Sequence, residues 1–211
     1  MTTRRNVVAD DIYGTFNDRK WELERRLREG TLDPVKVCAG LQAVIENSGW
    51  SKFPVWRTIT HRGQRNAESY RAGRLSTGYM ASDWANSMLD RFVTSSVDEE
   101  VDLGCASVAD LGFEEATRLD VICDRIVTLG YGLCLPEDGP VLREQYLEQS
   151  KDEFVRLAMK AICVSDGSLH IFRVGRVGDI LWLYGRYGSS DSLFCPRRHF
   201  IFRLCKRPLV A

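Results

Sequence analysis

No apolar run in this sequence approaches the roughly 20 residues that a membrane-spanning helix requires. The opening stretch meets Asp10 and Asp11 before a secretory apolar core could form. The expectation is a cytoplasmic chain without membrane insertion. No C-x-x-C pair occurs among the seven cysteines, Cys38, Cys105, Cys123, Cys134, Cys163, Cys195 and Cys205. Disulfides and structural zinc are therefore disfavoured, and the thiols read as small, reduced core residues. Only three histidines are present, His61, His170 and His199, and none has metal-site spacing to another. The phosphate-binding and nucleophile-elbow motifs G-x-x-x-x-G-K-[ST], G-x-G-x-x-G and G-x-S-x-G are all missing, and Gly175-Arg176-Val177-Gly178 reads as a turn. Glu137-Asp138, beside Pro136, reads as a solvated turn rather than an acid/base pair, and Cys134 has no identifiable histidine partner. These absences point to a chain that is not an enzyme and uses no metal or cofactor.

What is present suits a folded protein: 211 residues, 44% hydrophobic and 27% charged. Formal charge is zero but unevenly distributed. Between Val97 and Val155 fifteen acids face four bases, whereas from Ser168 onward eight arginines and lysines face only Asp179 and Asp191. If those arginines share a face, they attract anionic partners.

Periodicity divides the chain into a helical region over 1–96 and a second domain over 97–211. Asp18 to Glu29 is rich in helix formers and stops at Gly30. Asp33-Pro34 then supplies an N-cap and a first-turn proline ahead of Val37, Leu41, Val44 and Ile45. The first helix is too charged to bury much surface alone, so oligomerisation through these helices is one expectation. Phe53 to Ile59 is strand-like, and Tyr79 to Phe92 carries Trp84, Met88 and Leu89 at core spacing. The division is placed at Ser95 to Glu100, where polarity peaks. Beyond it, Val101 to Val108 reads as a strand. A helix capped by Thr117 and Asp120 buries Ile122, Ile126 and Leu129, and a short helix follows over Val141 to Leu147. Strands over Phe154–Val164, Leu169–Val174, Ile180–Leu183 and Phe200–Cys205 then form an antiparallel meander. The fold class is α+β.

The segment from Tyr184 to His199 lies between two apolar tripeptides, Leu181-Trp182-Leu183 and Phe200-Ile201-Phe202. Its Tyr, Ser, Gly and Arg content is that of a contact surface, in which tyrosine gives large area at low entropic cost and serine and glycine adapt. Every residue in the run can be encoded by a codon ending in C. The run also lacks Lys, Glu, Gln, Met and Trp, all used elsewhere in the chain.

Leu181-Trp182-Leu183, Asp191, Pro196 and Phe200-Ile201-Phe202-Arg203-Leu204 resemble the C-terminus of the variable proteins of bacterial diversity-generating retroelements. Phe53-Pro54-Val55-Trp56, Ser107 to Phe113, Cys134-Leu135-Pro136-Glu137, Leu142 to Tyr146 and Ser165-Asp166-Gly167 are similar to further segments of that family, so the likeness covers most of the chain. The sequence departs from the family pattern at Ser190, Phe194 and Arg197, where the pattern has proline, tryptophan and aspartate. The resemblance implies a C-type-lectin-like domain of a strand, two helices and a meander, whose first strand, Val101 to Val108, pairs with its last. It implies adenine-directed diversification of a hypervariable region. It further implies ligand contacts at Tyr184, Arg186, Ser189, Ser192, Cys195 and Arg198, with Gly185, Tyr187, Gly188, Leu193 and His199 at neighbouring variable sites. Trp182, Phe200 and Phe202 are expected in the core.

The resulting expectation is a non-catalytic protein that binds an unknown macromolecular ligand, a protein in the first instance. A single-stranded nucleic acid on the basic, aromatic C-terminal sheet is the alternative. A structural or assembly module working through the N-terminal helices is a third reading.

Overall fold

The computed structural model describes residues 18–38 and 53–204. The chain divides into two compact units, Met1–Trp50 and Ser51–Ala211. In the first, helix α1 spans residues 18–28 and is laced by ion pairs of Glu22 with Arg25 and Arg26, and of Arg25 with Glu29. Such pairs at i,i+3 and i,i+4 lend an exposed helix modest, salt-sensitive support. Helix α2 begins at residue 34, where the Asp33 carboxylate accepts the Val35 amide at 2.9 Å, as the Asp-Pro signal predicts. Leu41, Val44 and Ile45 lie outside the described residues.

The second unit is an α+β fold around one curled sheet. In chain order its elements are β1 (Arg57–His61), α3 (Ala67–Thr77), β2 (Met80–Ala81), α4 (Asp83–Leu89), β3 (Glu99–Ser107), β4 (Thr117–Arg118), α5 (Leu119–Thr128), α6 (Asp138–Gln145), β5 (Phe154–Leu157), β6 (Ile162–Cys163), β7 (Leu169–Val177), β8 (Ile180–Tyr187), β9 (Leu193–Phe194) and β10 (His199–Arg203). Sheet order is β1-β3-β10-β5-β7-β8-β2, with β6 on β7, while β4 and β9 form a separate two-stranded ribbon. The division expected at 96/97 falls inside this sheet. Thr58 faces Asp102 and Ile59 faces Val101, so residues on both sides of it share one hydrogen-bonded ladder.

β3 pairs with β10 antiparallel, from Ser107 opposite His199 to Leu103 opposite Arg203. The C-terminal strands are not a simple meander, because β10 inserts between β3 and β5 and runs parallel to β5. Thr117 does not cap α5: it lies in β4 opposite Phe194, and its hydroxyl donates to the Glu115 carbonyl. The helix starts two residues later because the ribbon takes the backbone of Thr117 and Arg118.

The helix α6 side of the sheet carries much of the apolar core and a network of buried polar bonds, with Nε of Arg57 and Nε of Arg143 left without a partner. Leu103, Leu157, Phe172, Val174, Leu183 and Ile201 are buried in the core. A Cβ on Gly139 would meet Phe172 at 2.7 Å, so α6 seats directly on β7. Glu137 and Asp138, expected in a solvated turn, are buried at the start of α6. Glu137 accepts from the Tyr70 hydroxyl at 2.6 Å and the Ser95 amide at 2.7 Å. Asp138 accepts two bonds from Arg203, at 2.8 and 2.7 Å, and lies 2.8 Å from His61 Nε2. Burial alone would raise the Asp138 carboxyl, but the Arg203 bonds and His61 override it and hold it below the usual carboxylate range. One carboxylate thus ties β1, β10 and α6 together.

Candidate functional site

Tyr184 to Tyr187 do not form a loop. They extend β8 against β7, with Tyr184 opposite Arg173 and Tyr187 opposite His170. Beyond them the backbone is held by bonds to three other parts of the chain. The Gly188 amide donates to Leu169, the Asp120 and Leu119 amides donate to Ser190 and Ser192, and β9 pairs with β4. The Ala109 and Val108 amides donate to the Pro196 and Arg198 carbonyls, after which β10 begins. Phe194, at the position where the family pattern has tryptophan, is buried edge-on against Phe200 with centroids 5.0 Å apart. It anchors the segment from within.

On this frame Arg186, Tyr187, Leu193, Cys195, Arg198 and His199 are exposed, Tyr187 at 55% and Leu193 at 66%. Ser189 and Ser192 are half-buried. Tyr184 is also half-buried, stacked on Trp182 at 5.1 Å and 10°. Burial raises its hydroxyl pKa, with Arg173 acting against the rise.

Two of the expected contacts are packing positions. A side chain at Gly185 would meet Trp84 Cβ at 2.5 Å, because α4 rests there and Ser82 Oγ accepts the Gly185 amide. A side chain at Gly188, which is buried, would meet Ile171 at 2.8 Å. Trp182 departs from expectation in the other direction. It is half-buried on the open side of the sheet, outside the core, while Phe200 and Phe202 are fully buried.

The sheet register explains this division. Directly opposed residues share a face, so Ala106, Phe200, Arg156, Arg173 and Tyr184 form one row across five strands. At the β3–β10 end the row is covered, with Phe194 over Phe200. At the β5–β7–β8 end the same face carries Phe154, Trp182, Tyr184, Arg186 and two opposed arginines. The Arg173 guanidinium lies 4.6 Å from the Phe154 ring centre and 4.4 Å from that of Tyr184, and Arg156 lies 5.7 Å from that of Phe194. Arg156 is only 5% exposed, and burial, reinforced by Arg198, Arg173 and Arg186, lowers its pKa to about 10. Sequence reasoning passed over Arg156 and counted Arg173 only among the basic residues after Ser168. The signal was an arginine within each of the apolar runs Phe154-Val155-Arg156-Leu157 and Ile171-Phe172-Arg173-Val174.

Arg186 and Tyr187 stand between two shallow clefts. One of about 380 Å³ is completed by Asp191, Ser192, Leu193 and Phe194, and one of about 330 Å³ reaches Trp84, Ser168 and His170. In the second, Ser168 Oγ lies 2.6 Å from Asp166 Oδ1 and 2.9 Å from His170 Nε2. The hydroxyl gives its single proton to the closer carboxylate and accepts from the ring, so the imidazole is not placed to activate the serine. Burial lowers the His170 pKa, and its ring stacks on Trp84 at 4.7 Å.

Among the described residues no group of three or more His, Cys, Asp or Glu side chains is arranged to hold a metal ion, and no helix is long and apolar enough to cross a membrane. Compared with protein-family models, curated proteins and solved structures, the chain matches none.

Proposed function

We propose that this chain is a non-catalytic binding protein that presents a diversified recognition surface, residues 184–199, on a C-type-lectin-like scaffold, as the variable proteins of diversity-generating retroelements do. The observation that carries the proposal is the contrast within one segment. Its backbone is hydrogen-bonded to β3, α5 and β7 and anchored by Phe194, while nine of its residues are exposed to solvent. Side chains free to vary on a backbone that is not are what a display surface requires. The antiparallel pairing of β3 with β10 supports the scaffold assignment, because the family resemblance implies that the first and last strands lie side by side.

Peptides selected from a random library on the full chain test the reading. They should bind about tenfold or more weakly to a variant with Arg186, Tyr187, Leu193 and Arg198 all changed to alanine, since exposed aromatic and arginine side chains supply most contact energy. Peptides indifferent to all four changes would overturn it. The retroelement assignment also requires a reverse transcriptase gene nearby and a near-duplicate of the 3′ coding end.

A further inference from the structure

Resting on that reading, we infer that the surface recognises an acidic group on a protein ligand, an aspartate or glutamate side chain received by the guanidinium of Arg156 with Arg173, Arg186 and Arg198 around it. Arg156 and Arg173 are directly opposed on β5 and β7. Like charges in that position repel and destabilise a sheet. Arg156 is nonetheless buried, and its Nε and Nη1 have no hydrogen-bond partner, nor has Nε of Arg173. Among the described residues no carboxylate lies within ion-pair distance of Arg156, Arg173, Arg186 or Arg198. An unpaired buried guanidinium is a net cost to the fold.

Other arginines in the interior each make bonds within the chain, although Nε of Arg143 and Nε of Arg57 also lack a partner. Arg203 has Asp138, and Arg143 donates to Gln149 and to the carbonyls of Tyr146 and Gly175. Arg156 itself makes no hydrogen bond among the described residues, and its complement is what a ligand would supply. The guanidinium fork matches a carboxylate in bidentate fashion, and a desolvated site makes that bond strong. Arg156 and Arg173 lie on framework strands outside residues 184–199, so the acidic anchor stays constant while the surrounding contacts vary.

A protein carboxylate fits better than a nucleic-acid strand. Single-strand binding needs cations spaced along a track with ring faces free for bases. Here the cations gather around one buried guanidinium, Trp182 is stacked on Tyr184, and Arg173 lies close over the rings of Phe154 and Tyr184. Tyr187 and Leu193, which line a cleft with Arg186, are exposed and suit a protein surface.

Calorimetric titration of the full chain with hexaglutamate, hexaglutamine and a twelve-nucleotide oligothymidylate decides the matter. Hexaglutamate should bind the wild type, bind Arg156→Met about tenfold or more weakly, and outbind both other probes. Arg156→Met should melt no lower than the wild type, and Arg173→Met gives the same comparison from the opposing strand should Arg156→Met fail to fold. Absence of hexaglutamate binding, or equal affinity for wild type and variant, overturns the inference. Tighter, Arg156-dependent binding of the oligothymidylate overturns it in favour of phosphate. If the hexaglutamate prediction fails while the library peptides still depend on the four exposed residues, the display surface stands without its acidic anchor. If neither behaves as expected, both fall.

Discussion

Arg203 and Arg156 stand on adjacent strands of one sheet and point to opposite faces. Arg203 holds a buried carboxylate with two bonds and, through it, joins a helix to two strands. Arg156 faces another arginine and leaves two nitrogens without a partner. A fold selected only for stability would treat the two alike. On the proposed function, the difference separates a face that holds the molecule together from a face that receives a ligand.

The largest effect should come from breaking the satisfied face. Asp138→Ala removes a buried carboxylate, leaving His61 buried without it and half-buried Arg203 with only Glu99 at 3.5 Å, and should cost about 3–5 kcal/mol. At roughly 2–4 °C per kcal/mol for a unit of this size, melting should fall by about 6–20 °C in calorimetry. The same carboxylate gives a pH dependence. Its folded pKa lies below the unfolded value, so its contribution is complete above the ordinary carboxylate range and is lost as pH falls through the lowered value. The urea midpoint should therefore drop on acidification, and Asp138→Asn should flatten that part of the drop.

Next in size is Gly185→Val, which drives a branched side chain into Trp84 of α4 and should cost about 1–3 kcal/mol, read from the urea midpoint. Exposed residues of the same segment should show nothing comparable. Arg156→Met reverses the sign: removing an unpaired buried charge while keeping an unbranched apolar stem should stabilise by about 1–2 kcal/mol. A destabilised Arg156→Met would mean that the guanidinium has a structural role and would erase the contrast between the faces. Smallest of all, the combined change of Arg186, Tyr187, Leu193 and Arg198 to alanine should alter stability by about 1 kcal/mol or less in the same assay.

Much of this molecule is legible in its sequence. The Asp33-Pro34 helix start, the strand around Val101 to Val108, the Ile122–Ile126 helix stripe and the final strand follow from period and turn chemistry acting over short distances. What escapes detection depends on partners far along the chain. Helix α3 starts at Asn66 with Ser69 completing the capping box, a pairing less conspicuous than Ser or Thr followed by Glu. Thr117 has a cap-like spacing to Asp120, but β9 claims its backbone from 77 residues away. Glu137-Asp138 looks like a polar turn because neither His61 nor Arg203 is near it in sequence. Within the candidate surface, the alternation of β8 separates Arg186 from Gly185, yet only the placement of α4 reveals why residue 185 is glycine. Arg156 carries no local signal of function, because its significance lies in the partner it lacks.

Substitution tolerance tests the display surface most directly. Residues 186, 187, 193, 195, 198 and 199 would be randomised in one library and residues 185, 188, 194 and 200 in another, with the folded fraction of each read by protease resistance. The account predicts that most members of the first library fold and few of the second do. A first library that unfolds as often as the second would show that those side chains support the fold rather than stand on it.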